Sequence, residues 1–64
     1  MKRKLFIAFL KSSGCEFLRE GSNHSLYINL ENKKASTVPR HSEINDNLVR
    51  KICKDLDIPN PYKK

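Results

Sequence analysis

The sequence predicts a single α+β domain in which two helices cover one face of a three-stranded antiparallel sheet. Two observations support this fold: an amphipathic helical pattern near each end of the chain, and three short strand-like segments between them. The links between the strands are short and polar, which favours antiparallel neighbours. A chain of 64 residues has room for one small core and none for a nucleotide-binding α/β domain. The expected order is α-β-β-β-α, because it buries both helical patterns at once.

The first helix is expected over residues 2–13. Its apolar stripe has the spacing i, i+1, i+4 and i+5. The four residues on that stripe are Leu5, Phe6, Phe9 and Leu10. Gly14 follows directly, and glycine is the residue that most readily adopts the left-handed conformation that ends many helices.

Three strand-like segments come next: Cys15–Arg19, His24–Leu30 and Lys34–Val38. The second alternates most clearly, and we expect its apolar residues Leu26, Ile28 and Leu30 to face the core. Pro39 ends the third strand, since proline has no amide hydrogen to donate to a ladder.

The last helix is expected to begin at Asn45 or Asp46, either of which can cap it. Its core face is expected to consist of Leu48, Val49, Ile52, Cys53 and Leu56. Pro59 prevents its continuation. We therefore expect one domain over residues 1–58 and a polar tail over residues 59–64.

The composition indicates a small basic protein that binds polyanions, of which nucleic acid is the commonest. The net charge is +6; a basic surface that serves only solubility is the alternative. The longest apolar run, from Leu5 to Leu10, is much shorter than the roughly 20 residues that a membrane span needs. We expect a cytoplasmic protein with no membrane association. Cys15 and Cys53 lack metal-site spacing and are expected to be buried free thiols.

Two histidines, His24 and His41, are the side chains best suited to proton transfer near neutral pH. Each lies near the end of a predicted strand. A two-residue turn between the second and third strands places His24 opposite His41, and a three-residue turn places Arg40 opposite His24. Both registers bring the two segments together at one end of the hairpin.

This juxtaposition permits RNA cleavage without a metal or another cofactor. His24 is the candidate base that removes a proton from a ribose 2′-OH, and Arg40 or protonated His41 is the candidate electrophile or acid. Structural roles are the alternatives. His24 shares strand parity with Leu26, so it is also a candidate for a half-buried residue beside the core. His41 is also a candidate for bonding the turn before the last helix.

Five segments follow one another along nearly the whole chain: Leu10–Gly14, Phe17–Ser22, His24–Tyr27, Val38–Ser42 and Leu48–Lys54. In this order they resemble the HicA toxins of the HicAB toxin–antitoxin family. The resemblance implies a fold like that of double-stranded-RNA-binding domains. It also implies a metal-independent mRNA endonuclease, a catalytic histidine after the Gly-Ser turn, which is His24 here, and a HicB-type antitoxin as protein partner.

The residues expected to contact RNA surround His24 or lie on the last helix. They are Ser22, Tyr27, Arg40, His41, Arg50, Lys51 and Lys54. Tyr27 is expected to point away from the Leu26 face, where it is a candidate for stacking on a base; an exposed tyrosine without a ligand is the alternative. The alternative for the cations of the last helix is a solvated face without a ligand.

The chain departs from the family pattern at two places. Many members have histidine directly after Gly-Ser, where this chain has Asn23. We align the catalytic histidine with His24, since Leu26 and Tyr27 then match the apolar and aromatic positions that follow it. Asp57 stands where members often end the last helix with glycine. Two other functions remain open: a non-catalytic RNA-binding module, and a degenerate toxin that only binds its antitoxin.

Overall fold

The computed structural model describes residues 1–62 and contains five elements in the predicted order. They are α1 (Arg3–Ser12), β1 (Cys15–Glu20), β2 (His24–Asn29), β3 (Ala35–Pro39) and α2 (Asp46–Leu56). The strands form one antiparallel sheet in the order β1-β2-β3. The predicted α+β architecture is confirmed. No helix within residues 1–62 is long and apolar enough to cross a membrane.

The helix ends follow from their local residues. Gly14, just beyond α1, has a φ of 86°, the left-handed conformation expected of it. Asn45 caps α2, since its side-chain oxygen accepts a hydrogen bond from the Leu48 amide at 2.8 Å. Asp57 ends α2 in the left-handed conformation, with φ 59° and ψ 48°.

The core lies between the helices and one face of the sheet. Its buried members are Phe6, Leu10, Cys15, Tyr27, Val38, Ile44, Val49, Ile52, Cys53 and Leu56. Both cysteines are free and buried, as predicted. The prediction that Leu5 belongs to the core was wrong, because its side chain is 60% exposed. The buried stripe of α1 is centred on Phe6 and Leu10, and one residue of helix turns Leu5 about 100° away.

The prediction of which face of β2 is buried was wrong. Ser25, Tyr27 and Asn29 are buried beneath the helices, whereas Leu26 and Ile28 are half-buried on the other face. The polar side chains are stable there because they have partners, which removes most of the cost of their burial. Asn29, for example, donates from Nδ2 to the Leu56 carbonyl at 2.9 Å.

Leu30 was also expected in the core, but it is 50% exposed in the turn after β2. This turn also differs from both predicted registers. Ile28 pairs with Ala35, and His24 pairs with Pro39. Lys33 adopts a φ of 65° and donates its amide to the Asn29 carbonyl at 2.7 Å. The turn thus has four residues, 30–33, which is longer than either predicted turn. The extra length shifts the register of β3 against β2, so neither Arg40 nor His41 lies opposite His24.

Both helices begin at the same end of the sheet. We call this the histidine end; it is formed by Glu20, His24 and Pro39, where β1 ends, β2 begins and β3 ends. Arg3 starts α1 there, and its Nε donates to the Pro39 carbonyl at 2.8 Å. The opposite end of α2 lies by the β2–β3 turn, where the Leu56 carbonyl accepts its bond from Asn29.

A short backbone pairing holds the start of α1 against the segment that leads into α2. The Arg3 amide donates to the Ser42 carbonyl, and the Ile44 amide donates to the Met1 carbonyl, both at 2.9 Å. The segment after β3 therefore also lies at the histidine end.

Candidate active site at the histidine end

His24 is the first residue of β2, and its side chain is exposed. Its neighbour Ser25 faces the helices, so the alternation of the strand places His24 on the open face of the sheet. The alternative role of a half-buried histidine beside the core is therefore wrong. That interpretation assumed that Leu26 faces the core and that His24, two residues earlier, shares its face. Leu26 in fact lies on the open face.

Arg40 holds the β1–β2 turn beside His24. The turn closes with a hydrogen bond of 2.7 Å from the Gly21 amide to the His24 carbonyl. Arg40 Nη2 donates to the Ser22 carbonyl at 2.8 Å, and Nη1 forms an ion pair with the Glu20 carboxylate. One guanidinium thus contacts the end of β1 and the turn that leads to the histidine.

A second arginine extends these contacts to α1. Ser25 Oγ donates to Glu20 Oε1 at 2.9 Å and accepts from Arg3 Nη2 at 3.0 Å. Since Arg3 also binds the Pro39 carbonyl, a continuous network of Arg3, Ser25, Glu20 and Arg40 links α1 to all three strands. The network fixes the backbone on both sides of His24.

Sequence reasoning missed Arg3. The signal was its position three residues before Phe6, on the buried stripe of α1. A half-buried arginine on such a stripe needs acceptors, and the end of the sheet supplies two.

His41 is exposed and follows Arg40 in the segment after β3. Asn45 supplies the side-chain cap of the last helix, and no side-chain hydrogen bond of His41 is found within residues 1–62. The structure thus brings Ser22, His24 and Arg40 to one end of the sheet, with His41 next along the chain.

The expected RNA contact at Tyr27 is not supported. Its side chain is 5% exposed and packs edge-to-face against Phe17, with ring centroids 5.8 Å apart. Tyr27 lies under the helices because the buried face of β2 is the one opposite to that predicted. It has no free ring face on which a base can stack.

The predicted basic residues of α2 are exposed along the helix, and two of them have partners within the described residues. The Arg50 guanidinium lies 5.1 Å from the centroid of the Tyr62 ring. Lys51 pairs with Asp55 at 3.1 Å, one turn along the helix. Lys54 is exposed in the last turn, towards the opposite end of the sheet.

Part of the predicted polar tail packs on α2. The Tyr62 hydroxyl donates to Asp46 Oδ1 at 2.7 Å, and this hydrogen bond raises the pKa of Tyr62. Its ring is half-buried against the core. The last two residues of that tail, Lys63 and Lys64, lie outside the described residues.

The side chains that could bind a metal ion do not cluster in the described part of the chain. Within residues 1–62, no group of three or more His, Cys, Asp or Glu side chains is placed to hold a metal ion.

The comparison with known families decides what kind of protein this is. The model of a family described as "HicA toxin of bacterial toxin-antitoxin" matches residues 3–58, which is most of the chain. The chain belongs to the HicA toxin family. No curated protein and no solved structure matches it. Membership of the HicA family makes it a toxin-type component of a toxin–antitoxin pair, for which an antitoxin is the general partner.

Proposed function

We propose that this HicA-family chain is an endoribonuclease that cleaves mRNA, with His24 as the general base. The observation that carries the proposal is the exposed His24 at the start of β2, beside a turn whose backbone is fixed by Arg40. A general base needs access to substrate and a constant position. The exposure of His24 and the surrounding network meet both needs.

In the proposed reaction, His24 removes the proton from a ribose 2′-OH, and the resulting oxygen attacks the adjacent phosphorus. The bond from phosphorus to the 5′-oxygen of the next nucleotide breaks. Protonated His41 supplies a proton to this leaving oxygen. The products are a 2′,3′-cyclic phosphate and a free 5′-OH, so no water enters this step.

Arg40 acts mainly as a positioning residue in this proposal. Its guanidinium is already bonded to the Glu20 carboxylate and to the Ser22 carbonyl. These contacts use donors that a phosphate needs. His41, which is exposed, is therefore the better candidate for the general acid. Ser22 is proposed to contact the RNA through the exposed backbone of the β1–β2 turn.

The proposed partner is a HicB-type antitoxin that neutralises the chain in the cytoplasm. The small core gives the free protein limited stability. A partner that binds only the folded state adds stability by mass action. Titration with such an antitoxin is therefore expected to raise the melting temperature, and an unchanged melting temperature at saturation would rule out this partner.

The test of the proposed reaction uses purified protein and an RNA in which the nucleotide 5′ to the cut carries a single 2′-deoxy sugar. We expect cleavage of the unmodified RNA to leave cyclic-phosphate ends and no cleavage at the deoxy position. Cleavage that leaves 5′-phosphate ends would contradict the mechanism. Binding without any cleavage would favour the non-catalytic RNA-binding module.

A further inference from the structure

The start of α1 forms a basic groove next to the histidine end. The groove is lined by Lys2, Arg3, Lys4, Ile7 and Ser42. Three of these residues are cations and none is an acid. A second hollow, near the β2–β3 turn, has the opposite character. Its lining includes Glu31 and Asp57 and no cation. The two concave surfaces thus differ in the sign of their charge, and the basic one lies at the histidine end.

Lys2 and Lys4 in this groove do not stabilise the start of α1. The first turn of α1 contains no acidic residue, and Lys2 makes no side-chain hydrogen bond as the N-cap. Positive charge is unfavourable at the N-terminal end of a helix, where the backbone dipole is itself positive. The charges of Lys2 and Lys4 are therefore better explained by an anionic ligand than by folding, whereas Arg3 also holds α1 to the sheet.

The groove lies at the same end of the sheet as the proposed active site. Arg3 lines the groove and also donates to the Pro39 carbonyl, and Pro39 is the pairing partner of His24. Ser42 lines its other side and directly follows His41. A polyanion that contacts His24 on the open face therefore reaches the groove by passing round the end of the sheet, along Pro39 and the segment of His41 and Ser42.

Two acidic residues, Glu43 and Asp46, lie near the amino group of Met1, with Asp46 Oδ1 at 3.8 Å, and neither lines the groove. The backbone of Glu43 bridges to Lys2, and its carboxylate is 2.9 Å from the amino group of Met1. Arg3 binds two neutral acceptors, a carbonyl and a hydroxyl, and the Glu20 carboxylate is joined to it only through that hydroxyl.

We propose that the groove of Lys2, Arg3, Lys4 and Ser42 binds backbone phosphates of the RNA strand that is cleaved at His24. This inference rests on the proposed function and adds a phosphate-binding surface that lies on α1 rather than on α2. In this proposal, the exposed side chains of Lys2 and Lys4 contact phosphates, whereas Arg3 is held in place by its hydrogen bonds to Pro39 and Ser25. Ile7 gives the groove an apolar side that suits a sugar.

The test measures binding of a labelled single-stranded RNA in which every ribose is 2′-O-methylated, so that it binds without being cut. Salt titrations are run on the wild type, on Lys2→Gln/Lys4→Gln, and on the matched control Lys33→Gln/Lys34→Gln. The control removes the same charge from the turn at the far end of the sheet. Each lost phosphate contact lowers the slope of log affinity against log salt by about 0.7 for a single strand.

We expect Lys2→Gln/Lys4→Gln to lower that slope by about 1.4 and the control to change it little. Equal changes in the two double variants would overturn the proposal, because they would show that only net charge matters. Unchanged RNA binding with loss of antitoxin binding in Lys2→Gln/Lys4→Gln would overturn it too, and would assign the groove to the protein partner.

Cleavage of unmodified RNA by the wild type is measured alongside and separates the two proposals. Binding that depends on Lys2 and Lys4, without any cleavage, would overturn the nuclease and leave the groove intact. Cleavage without that dependence would overturn only the groove.

Discussion

Arg40 donates a hydrogen bond to the backbone carbonyl of Ser22, at 2.8 Å, across the turn that carries His24. The two residues are 18 positions apart in the chain. Both were expected to contact RNA, and the structure shows that they contact each other. The turn before a candidate base is thus held by a side chain from the end of another strand.

Replacing Arg40 with glutamine is expected to slow RNA cleavage with little effect on stability. Its ion pair with Glu20 is exposed, and such pairs contribute about 0–1 kcal/mol. Loss of the turn contact allows His24 to shift, and a displacement of about 1 Å at a reacting group can cost about a hundredfold in rate. The measurement is single-turnover cleavage with urea unfolding alongside.

The pH profile distinguishes a positioning residue from a catalytic one. We expect Arg40→Gln to cleave more slowly over the whole pH range, with the same shape of pH dependence as the wild type. Arg40→Lys is not expected to restore the rate, because one ammonium group cannot reproduce the two directed contacts of the guanidinium. Full rescue by lysine would show that charge alone is needed at this position.

Asp57→Gly is expected to stabilise the protein. Asp57 has a left-handed backbone, which is costly for a residue with a Cβ atom, and its carboxylate lies at the negative end of α2. Glycine removes both costs, although it also raises the conformational entropy of the unfolded chain. We expect the free energy of unfolding to rise by about 0.5–1 kcal/mol. Urea unfolding measures it, with Asp57→Asn as the control that removes only the charge. A loss of stability in Asp57→Gly would contradict this account.

The element order was predictable because local patterns determine it. The helical stripe around Phe6 and Leu10, the left-handed Gly14 and the Asn45 cap are each visible in a few neighbouring residues. None of them depends on the rest of the fold, so the element bounds agree closely with the prediction.

The buried face of β2 was not predictable from the same kind of pattern. Leu26 and Ile28 are the more apolar residues, but Ser25 and Asn29 are buried, because Arg3 and the end of α2 supply their hydrogen bonds. Those partners come from distant parts of the chain. The stacking role expected of Tyr27 failed for this reason.

The sequence predicted that the segment of His24 and the segment of Arg40 and His41 meet at one end of the sheet. It did not predict which residues lie opposite each other there. The four-residue turn depends on the left-handed backbone of Lys33, which its sequence does not favour. Pro39 therefore replaces Arg40 and His41 opposite His24. The position of Arg3 on the buried stripe of α1 was visible in the sequence, but its acceptors Pro39 and Ser25 come from distant strands.

Cys53 is expected to make the protein less stable at alkaline pH. Burial, with a smaller contribution from Cys15, raises the pKa of Cys53 from 9.0 to about 11. The folded protein therefore keeps the thiol proton at a pH where the unfolded chain releases it. This contribution to the unfolding free energy is complete below pH 9 and is lost as the pH rises towards 11.

The loss is on the order of 2–3 kcal/mol, since each unit of pKa shift corresponds to about 1.4 kcal/mol. Urea unfolding at pH 8 and pH 10.5 measures it for the wild type and for Cys53→Ala. Tyrosine and lysine ionise in both proteins, so the difference between them isolates the thiol. We expect a clearly smaller loss in Cys53→Ala, and equal losses would contradict the assignment.

The most direct measurement of the central claim is single-turnover cleavage of one RNA by the wild type, His24→Ala and Asn23→Ala, each checked by thermal melting. His24 is exposed, so its replacement is expected to leave the fold intact. Removal of a general base is expected to lower the rate by about 10²–10⁴-fold. Asn23→Ala is expected to cleave at close to the wild-type rate. A folded His24→Ala protein that cleaves as fast as the wild type would contradict the account, and a loss confined to Asn23→Ala would move the essential role to that residue.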